Sequence, residues 1–248
     1  MKSNSRLSSR LLNRKIYALS LVAFLISFVS SPLWALGSYA EGWRVVKLLR
    51  MEESGLIFSS YEGKFEVMSF DSGEKCVERD YMCYTPTTTE LRFSVRSENT
   101  DVVNFLKDNE GQEFVIRYRQ HLIEPVALST DLEVLEIKAL TEDKPAELPA
   151  TISVEKAGSK RSFAIQGRVI KLDYEGNLVG TFEGLYLDTE RNKVFPFSVT
   201  EEALAKHVMQ LMVCKKSYFM GLSQAYVNVT FRESDYDLFA IDMDKAPR

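Results

Sequence analysis

"GRVIKLDYEGNLVGTFEG" (residues 167–184) repeats, in shortened form, "GWRVVKLLRMEESGLIFSSYEG" (residues 42–63). Each stretch opens on glycine, runs through Arg-Val-(Val/Ile)-Lys-Leu and closes on aromatic-Glu-Gly. Successive side chains of a strand point to opposite faces, so a period of two marks a half-buried strand. In the first copy Ile57, Tyr61, Gly63, Phe65 and Val67 fall on one face, and Glu62, Lys64 and Glu66 on the other. Phe182, Gly184 and Tyr186 take the same phase in the second copy. The echo preserves a buried face, which a duplicated structural unit explains.

The correspondence continues beyond the echo. "LRFSV" (91–95) matches "FPFSV" (195–199), and a helical pattern follows each. The first helix, over 100–109, carries Val102, Val103, Phe105 and Leu106, with Gly111 as its stop. The second, over 201–212, has Thr200 as cap, Glu201 and Glu202 at its positive end, and a stripe of Leu204, Val208, Leu211 and Met212. Two more strand-like runs close each half. Three strands, a helix and two strands is the element order of an OB-type barrel. The expected fold is therefore mainly β: an N-terminal hydrophobic helix, then two tandem small OB-like β-barrels, each with one short helix between strands 3 and 4. Gly63 and Gly184 fall where a barrel strand bends or bulges. The expected domains are residues 39–140 and 162–248. A Pro-, Glu-, Lys- and Ala-rich linker at 141–161 joins them, and the first carries a cysteine-bearing insertion at 69–90.

The first fifteen residues hold five basic side chains and no acid, and an uncharged stretch runs from Ile16 to Ala40. This leader, residues 1–38, reads as an export signal with two possible fates. Ile16–Leu36 supplies about the 20 residues a membrane span needs. Pro32 and Ala35-Leu36-Gly37 offer the small-residue exit of a cleavable signal peptide. Retained, it makes a single-pass inner-membrane protein, with membrane contact through residues 16–36 and its C-terminal domains in the periplasm. Cleaved, it leaves a periplasmic or secreted protein. With the five leader charges set aside, 26 basic residues face 35 acids, a net charge of −9. That balance argues against a nucleic-acid partner, since phosphate backbones are bound by clustered Lys and Arg. Cys76 and Cys83 bracket six residues and are the candidate disulfide, while Cys214 follows the second helix as a buried thiol.

"YAEGWRVVKL", "GLIFSSYEGKFEV", "RFSV" and "FVIRYRQH" together resemble a family of small bacterial envelope proteins of undefined function. Their pattern is an N-terminal membrane anchor followed by Tyr-(Ser/Ala)-(Glu/Asp)-Gly-x-Arg. The matching residues are Tyr39, Ala40, Glu41, Gly42 and Arg44, then Tyr61, Glu62 and Gly63, then Phe93, Ser94 and Val95. The resemblance covers roughly residues 1–138 and implies that the leader is retained. Some members carry a sugar-phosphate dehydrogenase label, which nothing in this sequence supports: there is no Gly-x-Gly-x-x-Gly after a strand and no alternating βαβ pattern.

Chemistry-bearing residues are sparse. Val115, Arg117, Arg119 and His121 share one face of a strand, and the basic three are the candidate ligand surface for an anion or acidic glycan. His207 is expected on the polar side of the second helix. Glu62 and Glu183 recur at equivalent places and are expected as surface carboxylates beside Arg44 and Arg168. No nucleophile, base and orienter converge, so no catalytic, metal or cofactor residue is assigned. The sequence supports a non-catalytic, envelope-anchored binding or scaffold module with an unidentified protein or glycan partner. The alternatives are an enzyme whose site forms only in three dimensions, and a secreted periplasmic glycan- or anion-binding protein.

Overall fold

The computed structural model describes residues 38–54, 59–78, 81–155, 158–175, 181–225 and 234–245. Leader residues 1–37, residues 55–58 with Ile57, and residues 176–180 and 226–233 lie outside these residues. What is described is mainly β. The first half comprises β1 (Ser38–Ser54), β2 (Ser60–Glu78), β3 (Tyr81–Arg96), α1 (Thr100–Asp108), β4 (Glu113–His121) and β5 (Leu132–Ala139). A short β6 (Thr151–Ser153) precedes the second half. That half comprises β7 (Ser159–Glu175), β8 (Thr181–Asp188), β9 (Lys193–Val199), α2 (Glu202–Leu211), β10 (Tyr218–Ala225) and β11 (Tyr236–Asp242).

Each half pairs its strands in the same cycle. β1 lies between β2 and β4, β5 follows β4, and β3 pairs with both β5 and β2. In the second half β7 lies between β8 and β10, β11 follows β10, and β9 pairs with both β11 and β8. Two links in these cycles are parallel, Ser94↔Glu133 between β3 and β5 and Asp237↔Ser198 between β11 and β9. Each is a single residue pair, so both cycles are only lightly joined at that seam.

The two recurrent motifs face each other across these ladders. Tyr61-Glu62-Gly63 pairs with Val95-Ser94-Phe93, and Phe182-Glu183-Gly184 pairs with Val199-Ser198-Phe197. Glycine is required because the opposite phenylalanine lies flat over it. A Cβ on Gly63 would come 2.5 Å from Phe93 Cζ, and one on Gly184 would strike the Phe197 ring. The rings thus placed nucleate the two cores. Phe65 stacks on Phe93 with centroids 3.8 Å apart and meets Phe114 edge-on at 5.9 Å. In the second half Phe197, Phe195, Tyr186 and Tyr218 are wholly buried with Leu204 and Leu211 of α2.

The helices close these cores as the stripes require, but the cap of α2 is Glu201 in extended backbone with no side-chain bond, and Thr200 does not cap. His207 also departs from expectation: it is buried, 4% exposed, within the α2 face that covers the second core.

Two expectations about the join between halves need correction. Residues 141–161 are not a free linker. Leu148 is buried in the second core, β6 pairs with β11 from Ala240↔Ser153 to Asp242↔Thr151, and Thr141 bridges to Cys214. Nor are the halves spatially independent, since one continuous sheet includes both. β1 pairs with β7 from Ala40↔Glu175 to Arg44↔Lys171. Gly42 permits this approach, because a Cβ there would lie 2.7 Å from the Leu172 carbonyl oxygen. Tyr118 donates to Asp173 Oδ1 at 2.6 Å, and Lys171 lies 2.6 Å from Asp173 Oδ2.

The cysteine-bearing insertion lengthens β2 and β3 into an arm that reaches the second half. Met68 and Phe70 pack against Ile170, Leu185, Leu187 and Val194, and Tyr84 pairs with Val194. Cys83 is fully buried and disulfide-bonded, and the residue across the ladder from it is Cys76.

Candidate functional site

The candidate ligand surface on β4 is internally neutralised. Arg117 bonds Glu41 through Nε at 2.8 Å and through its terminal nitrogen, with Glu136 at 3.9 Å. Arg119 reaches the other oxygen of Glu41 at 3.3 Å. His121 Nε2 lies 2.7 Å from Glu133 Oε2, and Arg96 Nε donates to Glu133 Oε1 at 2.6 Å. The β1–β4 register brings this about, placing Glu41 opposite Arg119 and Ser38 opposite His121. Every basic group expected to meet an anion already faces a carboxylate of the same chain, so the stripe offers little net positive field.

The polar cluster that the two halves share is at the parallel seam. In the first half Ser94 donates to Glu62 Oε2 at 2.5 Å, Ser60 to Glu62 Oε1 at 2.6 Å, and Thr130 Oγ1 lies 2.8 Å from Ser94 Oγ. In the second, Ser198 donates to Glu183 Oε2 at 2.7 Å and Thr181 to Oε1 at 2.7 Å. In both, the motif serine sits opposite an acid one residue into the last strand, Glu133 or Asp237. Glu62 and Glu183 are thus not partners of Arg44 and Arg168. Arg44 donates to the Met68 carbonyl at 3.0 Å, while Arg168 lies 3.7 Å from Glu113. Glu183 is buried outright, because its bonds to two hydroxyls replace water.

Burial alone would raise the Glu133 carboxyl, but the bonds from Arg96 and His121 prevail and hold it below the usual carboxylate value. The same bond to Glu133 raises Arg96 above its ordinary value. His207 goes the other way: burial, with Lys144 nearby, lowers its pKa, and its Nε2 has no hydrogen-bond partner among the described residues. A neutral imidazole held in a core is no acid or base for a substrate. Burial also raises the Cys214 thiol, away from the reactive thiolate form. A small cleft between the halves, about 50 Å³, is bordered by Lys47, Glu66, Glu113 and Arg168, two charges of each sign. No cluster of metal-ligating side chains occurs among the described residues.

Sequence reasoning identified Glu62 and Glu183 as recurrent but missed their serine partners. The signal was present, since Phe-Ser-Val recurs as faithfully as aromatic-Glu-Gly.

The chain belongs to the family of a domain of unknown function, DUF8785, whose model matches residues 37–143 and 158–247. No curated protein sequence matches it. Among solved structures it is similar to the wild-type single-stranded DNA binding protein from Thermus aquaticus and to a deletion mutant of that protein. Each comparison gives 12% identity and a TM-score of 0.26, covering 86% of this chain and 95% of the other. The expectation of a protein or glycan partner with nucleic acid excluded does not stand against this finding. A likeness this distant assigns no ligand to this chain.

Proposed function

We propose that the chain is a non-catalytic binding or scaffold module of the bacterial envelope, made of two OB-like barrels fused side by side. Its leader holds it as a single-pass protein of the inner membrane, with both barrels on the periplasmic side. The observation that carries the location is the disulfide at Cys83 in a chain with a basic-then-apolar leader. Disulfides persist in oxidising compartments outside the cytoplasm. The envelope-family resemblance supports retention of the leader. Among the described residues no helix is long and apolar enough to cross a membrane, and the leader lies outside them.

The OB-like reading is supported by the shared strand cycle, the parallel link between third and fifth strands, and the helix between third and fourth. Binding is favoured over turnover by the state of the seam hydroxyls. Ser94 and Ser198 are wholly buried, whereas a nucleophile needs an open approach for its substrate.

The test is to express the full chain with a C-terminal tag, fractionate the cells and sequence the N-terminus. An intact N-terminus in the membrane fraction, released by detergent but not by high salt, is expected. A soluble species beginning near Ser38 would overturn the anchor and leave a free periplasmic or secreted protein.

A further inference from the structure

Four large apolar side chains are exposed among the described residues: Leu122, Ile123, Val126 and Tyr174, at 58%, 78%, 91% and 44%. Scattered exposed apolar residues are ordinary on a soluble protein, but these are not scattered. Leu122 directly follows His121, which pairs with Ser38, and Ile123 and Val126 continue into the β4–β5 loop. Tyr174 pairs with Glu41 on the other side of β1. Ser38 and Glu41 are three residues apart on the strand, a span of about 10 Å. All four residues therefore lie at the N-terminal end of β1, and both halves contribute. That end is where the chain enters the fold from the uncharged run beginning at Ile16.

We propose that the 122–126 loop, with Tyr174 at the same end of β1 and on its other side, is a lipid-contacting surface that rests in the headgroup–acyl boundary of the membrane. The proposal builds on the anchored reading above. The loop is built rather than frayed: Leu128 donates to the Pro125 carbonyl at 2.9 Å and His121 to the Asp131 carbonyl at 2.7 Å. Leu128 is tucked into the fold while Leu122, Ile123 and Val126 are turned out of it. Tyrosine is a side chain favoured at the membrane–water interface.

The attraction is apolar rather than electrostatic. Residues 122–131 contain no Lys or Arg and carry Glu124 and Asp131. The nearest arginines, Arg117 and Arg119, are bonded to Glu41. Interfacial binding without a basic face scales with buried apolar area and resists salt. A loop seated this way would fix the orientation of the first half over the bilayer, which a single anchor leaves free to swivel.

The experiment uses the full chain in phosphatidylethanolamine–phosphatidylglycerol vesicles. Ile123→Cys and, separately, Val126→Cys carry an environment-sensitive dye, attached without reduction. Cys83 is bonded and Cys214 buried, so the new thiol takes the label. Glu110→Cys is the control, an exposed position beside Gly111, whose amide bonds Leu48 ten residues along β1 from Ser38. Quenching is measured with nitroxide-bearing lipid and with aqueous iodide, at low and high salt. Dyes at 123 and 126 should be quenched by the lipid nitroxide and be about threefold less accessible to iodide than the dye at 110, unchanged by salt. Iodide access equal to that at 110 would overturn the proposal while the anchor stands. So would protection from iodide without nitroxide quenching, which would mean protein, such as a second copy, covers the loop. Loss of the whole chain from the vesicles on alkaline washing would overturn the anchor itself, and this surface with it.

Discussion

Replacing Gly184 with alanine tests the pairing of the two recurrent motifs. The three nearest atoms to a Cβ at that position all belong to the Phe197 ring, all inside 3.0 Å, and Phe197 is wholly buried. Forcing a methyl into a packed core costs about 1–3 kcal/mol, and Phe197→Leu should cost about 1–2 kcal/mol through lost packing. The collision is with a side chain alone, so removing the ring removes it. The double variant should be about 1 kcal/mol or more better than the sum of the singles. Gly63 supplies the contrast. A Cβ there meets Phe93 Cζ at 2.5 Å but also the Arg50 carbonyl oxygen at 2.5 Å, and backbone does not move aside for a leucine. Gly63→Ala with Phe93→Leu should therefore be close to additive. Urea denaturation of all six variants and the parent measures both cycles through the shift in midpoint at constant slope. Additivity at 184 and 197, or equal rescue at 63 and 93, would refute this account of the motif.

Under denaturing, non-reducing conditions only Cys214 should react with a thiol reagent, and reduction should lower stability by roughly 2–3 kcal/mol; three reactive thiols from the outset would rule out the bond at Cys83. Tyr118→Phe deletes a bond to a buried carboxylate and should cost about 1.5–3 kcal/mol, whereas a loss below about 0.5 kcal/mol would mean it does not tie the halves together. The folded-state pKa of Glu133 is depressed, so its contribution is full above the unfolded carboxylate value and fades as pH falls below that value through the folded one. Glu133→Gln should therefore be less stable at neutral pH and lose less on acidification. Parallel stability curves for the two proteins from neutral to acid would contradict the role given to Arg96 and His121.

What could be read from the sequence was whatever is local. Alternation around Phe65 and Val67 located a strand, and the Leu204–Val208–Leu211 stripe located a helix. The polarity of His207 points to the solvent side, but it lies three residues from Leu204 and four from Leu211, the spacing of one helical face. Phase, not polarity, sets its place. The composition of 141–161, rich in Pro, Glu, Lys and Ala, reads as a linker, yet Leu148 and a three-residue strand suffice to fasten it. The serine–glutamate pairs and the neutralised β4 stripe were out of reach for a different reason. Each depends on register between strands, and no local pattern states which residue faces which. One hint did exist. A glycine within a strand marks close approach of another backbone, and Gly42 is where β7 arrives.

β1 has a further consequence for how this protein could be divided. Residues 40–44 are paired on both sides, to β4 and to β7. Cleavage within 141–161 and separation of the pieces would leave each with a bare strand margin, β1 on one and β7 on the other. Unpaired margins recruit other strands, so isolated halves would tend to stick to each other or to copies of themselves. The boundary that the repeated sequence suggests is therefore a poor place to cut, and the two copies should melt together in a single cooperative transition.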